Sequence, residues 1–138
     1  PLTTAELRAY WVCIKHLQGV RGALLRLHLL TGGQRIEQLV NLRTANIKEE
    51  ALLLHDGKGR PGRSPRVHMV PLISHAKKAL YECRPTGTFA LSTDAGETHV
   101  AATTLSNWAV QAAGGVVADF KAKRIRSGVE TLLASAGV

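Results

Sequence analysis

The sequence predicts a mainly α fold with a small antiparallel β-sheet, that is, a helical bundle flanked by a β-hairpin or three-stranded sheet. Three observations carry this prediction. Apolar residues recur at helical spacing in successive stretches separated by glycines. Between residues 45 and 72 the pattern changes to short apolar runs on either side of a turn rich in glycine and proline. Finally, the 138 residues are 45% hydrophobic and hold no repeat, low-complexity tract or linker, so residues 1–138 read as one domain with a real core.

The first helix opens at Pro1 to Glu6: Thr3 can cap it, and Glu6 stands three residues on, the capping-box spacing. Leu7, Tyr10, Trp11, Ile14 and Leu17 form its apolar face, and Gly19 is expected to stop it. Residues 21–30 make a second helix, apolar nearly all round and hence buried. Gly32 and Gly33 break it, since glycine allows positive φ and close backbone approach. A third helix follows, with Ile36, Leu39, Val40 and Arg43 on one stripe and Arg35 in its first turn. A cation there opposes the helix dipole, whose N-terminus favours anions. A residue set against that preference points to an anion arriving from outside.

Ile47 and Leu52-Leu53-Leu54 read as a strand or hairpin turning at Lys48-Glu49-Glu50. The stretch from His55 to Pro65 is a glycine- and proline-rich turn carrying Lys58, Arg60 and Arg63. Arg66 to Val70 forms a strand stopped by Pro71. Ser74 can cap a helix through Ala76, Ala79 and Leu80 towards Cys83, and residues 84–99 are loop-like around the apolar patch Phe89-Ala90-Leu91. Thr103 or Thr104 begins a helix with Leu105, Trp108, Ala109 and Ala112 on one side, ended by Gly114-Gly115. The last helix runs from about Ala122 to Ala136, with the stripe Ile125, Val129, Leu132 and Ala136 and a stop at Gly137.

Charge narrows the function. Lys and Arg number 18 against 10 Asp and Glu, a net +8 and a pI of 10.1, which points to a polyanion and first to nucleic acid. Aromatics are only 4%, against a base-stacking platform for single strands. Cys13 and Cys83 are too few and too far apart for a disulfide framework or a CxxC metal site, and read as reduced core cysteines of a cytosolic protein. No carboxylate cluster calls for a metal, and nothing calls for a cofactor. The most apolar run, residues 23–30, is interrupted by Arg26 and His28, so no membrane span and no signal peptide is expected. An opening at Pro1 without methionine suggests an excised fragment or a processed chain.

Lys123 and Arg126 are three residues apart on the last helix, hence neighbours that repel unless an anion lies between them. Phosphate suits that place, because arginine's planar fork matches its oxygens bidentately.

The stretch Thr31-Gly32-Gly33-Gln34-Arg35-Ile36-Glu37-Gln38-Leu39-Val40-Asn41-Leu42-Arg43 resembles the first arginine motif of the tyrosine recombinases, the phage integrase family. Arg35, Gln38, Leu39 and Leu42 match R-x-x-[E/Q]-L-x-x-L position by position. One more residue than usual separates the Thr-Gly from the arginine, and Gln38 stands where an acid is commoner. Lys123-Arg124-Ile125-Arg126, running into Thr131-Leu132-Leu133-Ala134 and Gly137-Val138, resembles the second box, H-x-L-R and its helix. Arg126 falls on the arginine. Lys123 falls on the histidine, keeping a donor and a charge but no proton acceptor near neutral pH. The strand ending Val70-Pro71-Leu72 resembles the one after the family's hairpin lysine, for which Lys58 is the best-placed candidate; Lys48, Arg60 and Arg63 are less well placed.

The resemblance spans nearly the whole chain. It implies a catalytic domain, truncated before the nucleophilic tyrosine, with Arg35, Lys58, Lys123 and Arg126 as catalytic residues. Tyr10 and Tyr81 lie upstream on apolar helical faces and are expected in the core. The implied function is DNA integration and site-specific recombination through a 3′-phosphotyrosyl intermediate, without metal or cofactor. The implied partners are double-stranded DNA and other protomers in a tetrameric synapse, in the cytoplasm at the nucleoid of a bacterium or as part of a mobile genetic element. A DNA-binding module without catalysis and a type IB topoisomerase are the alternatives. A basic RNA-binding domain is disfavoured by the few aromatics and the absence of RRM or KH signatures.

Overall fold

The computed structural model describes residues 1–56 and 66–137. Its elements are α1 (Thr4–Ile14), α2 (Gly19–Leu30), α3 (Ile36–Leu39), a 3₁₀ turn (Thr44–Asn46), β1 (Ala51–Asp56), β2 (Arg66–Pro71), α4 (Ser74–Glu82), α5 (Ala102–Ala113) and α6 (Lys123–Ser135). The expected mainly α architecture with a flanking antiparallel hairpin is observed. β1 and β2 pair from Ala51 opposite Pro71 to Asp56 opposite Arg66. Among the described residues the sheet has two strands, and Ile47 adds only a single bridge to Leu52 where a third strand was an option.

The capping box at the start of α1 forms as its spacing dictates. The Glu6 N–H donates to the Thr3 hydroxyl and the Thr3 N–H to the Glu6 carboxylate, both at 3.1 Å. The helix nevertheless stops at Ile14, and Gly19, at φ +78°, begins α2 instead of ending α1. Buried Arg26 explains the early stop. Its Nη1 donates to the carbonyls of Ile14 at 3.0 Å and Leu17 at 2.7 Å, supplying donors that α1's last turn lacks. Gly22 lets that turn close in: a Cβ there would stand 2.1 Å from the Leu17 carbonyl oxygen.

Helix α2 is the centre of the core, buried from residue 22 to 28, with α1, α4 and α5 packed around it. Leu24, Leu25 and Leu27 meet Tyr10, Ile14, Leu39, Leu52, Leu105 and Ile125 in that core. Helix α6 is held by the N-terminal segment: the Leu2 N–H donates to the Arg124 carbonyl at 3.0 Å, and a Cβ on Gly128 would fall 2.5 Å from the Leu2 oxygen.

Several local expectations are corrected. Helix α3 is a single turn, so Arg35 sits at its cap and Arg43 lies beyond it. The cause is non-local: the Ala90 N–H donates to the Leu42 carbonyl and the Thr44 N–H to the Thr88 carbonyl, drawing this segment into extended pairing. Arg43 ends with its guanidinium 5.3 Å over the Phe89 ring. Ser74 is the first residue of α4, not its cap; the Lys77 N–H to Ile73 carbonyl bond closes that turn. Helix α5 begins at Ala102, before either threonine. On α6 the apolar stripe is buried at Ile125, half-buried at Val129 and exposed at Leu132 and Ala136, because only the first half of the helix meets the core. Tyr81 is 83% exposed, not core, since α4 buries Ala76, Ala79 and Leu80 and turns the next position outward.

Among the described residues no helix is long and apolar enough to cross a membrane. Cys13 and Cys83 are free thiols, half-buried and buried.

Candidate anion-binding site

Two glycines aim the first arginine. Gly32 at φ +87° and Gly33 at φ +71° turn the chain out of α2 in a conformation that costs other L-residues strain. Gly33 also packs against α6: a Cβ there would lie 2.8 Å from the Arg126 nitrogen, 2.9 Å from its Cα and 3.0 Å from the Ile125 side chain. The bare glycine therefore lets the loop and the helix touch backbone to backbone. Arg35 follows two residues later, and Arg126 is on the helix that the loop touches.

The result is a pocket of ≈ 410 Å³ lined by Arg35, Lys123 and Arg126 together with His28, Gln34 and Lys121. Arg35, Lys121 and Lys123 are exposed, and the Arg126 side chain is 36% exposed. Arg126 is oriented by two neighbours. Its Nε lies 3.3 Å from the Glu130 carboxylate one turn on, and its Nη1 lies 3.5 Å from the Gln34 side-chain oxygen. The Glu130 pair is solvent-exposed and of small energetic weight, so it steers the guanidinium more than it neutralises it. Four cations with one acid on the lining, Glu37, suit a phosphate-like anion.

His28 is 1% exposed, and its Nε2 lies 2.9 Å from the Gln34 carbonyl oxygen. A carbonyl only accepts, so Nε2 carries the proton and donates; Nδ1 has no partner among the described residues. Burial lowers the His28 pKa to about 4, with the bond to Gln34 opposing, so the ring is neutral at neutral pH. Sequence reasoning saw His28 only as an interruption of an apolar run and missed Gln34 and Lys121. No periodicity marks a polar residue whose role comes from what it meets across the fold.

Lys58 lies outside the described residues, as do Arg60 and Arg63. Lys48 is away from the pocket, with its Nζ 3.2 Å from the Ala45 carbonyl oxygen. Neither tyrosine lines the pocket. Tyr10 is buried and stacked on Phe120 at 4.9 Å, and burial pushes its phenol pKa up. Tyr81 lines a separate groove of ≈ 980 Å³ with Trp11, Lys15, His16, Lys78 and Arg84.

Solved recombinase and integrase structures share the fold. XerA recombinase matches at a TM-score of 0.75 with 16% identity, over 99% of this chain and 51% of that one. The lambda integrase catalytic core matches at 0.70 with 19% identity, over 98% and 83%. XerH site-specific recombinase, bound to its difH substrate, matches at 0.70 with 17% identity, over 98% and 42%. The chain thus spans about half the length of XerA, at 51%. No family model and no curated protein matches the sequence. The fold is that of a tyrosine-recombinase catalytic domain.

Proposed function

We propose that this domain binds duplex DNA through a backbone phosphate held between Arg35 and Arg126, and that it acts in site-specific recombination as the catalytic part of a tyrosine recombinase. One observation carries the reading: Arg35, Lys123 and Arg126, far apart in the chain, line one basic pocket in a fold shared with recombinases. Structural neighbours on DNA support the partner: XerH on difH, a lambda integrase dimer on a core site and a lambda integrase tetramer on a Holliday junction. Other protomers in a tetrameric synapse are the second partner in this reading.

In the proposed reaction a tyrosine oxygen attacks phosphorus, the bond to the 5′ oxygen breaks, and a 3′-phosphotyrosyl link retains the bond energy for rejoining. Charge accumulates on the non-bridging oxygens in the transition state. Cations already in place there stabilise it more than the ground state, which is the role assigned to Arg35 and Arg126. Lys58 would protonate the departing 5′ oxygen, and Lys123 would assist at the same phosphate. In this reading the nucleophile is neither Tyr10 nor Tyr81, because attack needs an oxygen held in line near 3–3.5 Å; Tyr10 is buried and Tyr81 lines another groove.

A nicked suicide duplex that traps the covalent intermediate tests this. The 138-residue protein is expected to give no adduct. A longer protein supplying a downstream tyrosine is expected to give one, abolished by Arg35→Ala or Arg126→Ala with the fold kept. An adduct from the shorter protein would overturn the nucleophile assignment, and indifference to both arginine changes would overturn the clamp. A second reading is a DNA-binding module without catalysis, which predicts no adduct from either protein. Relaxation of supercoiled plasmid without a partner site would instead identify topoisomerase activity.

A further inference from the structure

Gln34 is one of the two residues that separate Thr31-Gly32 from Arg35, and its side chain and main chain are both engaged. Its Nε2 donates to the Thr31 carbonyl at 2.7 Å. That bond sets the carboxamide's orientation and leaves Oε1 facing Arg126 Nη1 at 3.5 Å. Its main-chain carbonyl accepts from buried His28 at 2.9 Å. Thr31 is itself held, its hydroxyl donating to the Leu27 carbonyl at 2.8 Å. The end of α2 thus grips the Gln34 main chain, and the Gln34 side chain reaches across to α6.

We propose that Gln34 is a positioning residue for Arg126: braced by His28 and Thr31, it turns the guanidinium so that Nη2 faces the pocket for a phosphate oxygen. With Nε against Glu130 and Nη1 against Gln34, two of the three guanidinium nitrogens face protein, and Nη2, without a partner among the described residues, is left for the ligand. Glu130 sits on the same helix and moves with Arg126. Gln34 is the contact that ties the guanidinium to the loop carrying Arg35, and so relates the two arginines to each other. The inference rests on the phosphate-clamp reading above.

The test is a double-mutant cycle on duplex DNA binding, read by fluorescence anisotropy at low salt. Gln34→Ala removes the brace, and Gln34→Met keeps its length without polar atoms. Each is expected to weaken binding about fivefold, the worth of one ordinary hydrogen bond. In an Arg126→Ala background neither is expected to weaken it further, because the group being positioned is gone. A merely structural Gln34 would lower affinity equally in both backgrounds, which overturns the proposal. So does an unchanged affinity in both single variants while Arg126→Ala alone weakens binding. An Arg126→Ala protein that binds as well as the parent would overturn the clamp reading itself, and this proposal with it.

Discussion

Gly32 and Gly33 provide a matched pair for testing how the pocket is assembled. Both have positive φ, +87° and +71°, so an alanine at either carries a similar backbone cost, roughly 1–2 kcal/mol. Their surroundings differ. At Gly32 a new Cβ would meet only the Val129 side chain at 4.0 Å, whereas at Gly33 it would press on the Arg126 backbone at 2.8 Å. Backbone cannot rotate aside, so the loop and α6 have to separate, adding the roughly 1–3 kcal/mol typical of overpacking. Urea unfolding should therefore show Gly33→Ala destabilised by about 2–5 kcal/mol and Gly32→Ala by about 1–2 kcal/mol. Anisotropy should show a loss of DNA affinity in Gly33→Ala alone, since only there do Arg35 and Arg126 move apart. Equal destabilisation with equal DNA affinity would refute the idea that the missing Cβ at residue 33 brings the two arginines together.

Four further outcomes are expected. Stability should fall as pH drops from 6.5 towards 4: His28 is buried neutral with a pKa lowered to about 4, so the unfolded chain binds the proton first, at a cost of up to roughly 3 kcal/mol. His28→Gln should flatten urea midpoints across that window, and an unchanged slope would exclude His28 as its source. Asp94, lowered to about 2 by bonds from Ser92 and Thr98, contributes stability that is lost only below that range, as pH falls through 3.8 towards 2. Arg26→Met should leave the Ile14 and Leu17 carbonyls without a donor and cost about 2–4 kcal/mol in chemical unfolding, with DNA affinity kept; a neutral effect would dismiss Arg26 as the stop of α1. DNA affinity should fall steeply with salt, and Arg35→Ala or Arg126→Ala should each lower the slope of log K against log salt by about one; an unchanged slope would place the phosphate elsewhere.

Much of this protein is decided by local sequence. The Thr3–Glu6 capping box, the buried second helix, the break at Gly32-Gly33 and the stop at Gly137 depend on neighbouring residues, and all appear where spacing and propensity put them. The arginine motifs were legible for the same reason, as short patterns with fixed spacing. Other features depended on contacts between residues far apart in sequence. Arg26 ends α1 from another helix, and pairing with residues 88 and 90 cuts α3 to one turn and carries Arg43 away from its stripe. Tyr81 and Tyr10 both sit among apolar helical neighbours, yet packing buries one and exposes the other. The pocket is the clearest case. The motif letters name Arg35 and Arg126, but residues 34 and 126, 92 positions apart, come within contact only because Gly33 has no side chain to hold the loop away from α6. A hydrogen at Cα has no periodicity, and its meaning exists only once the opposing backbone is in place.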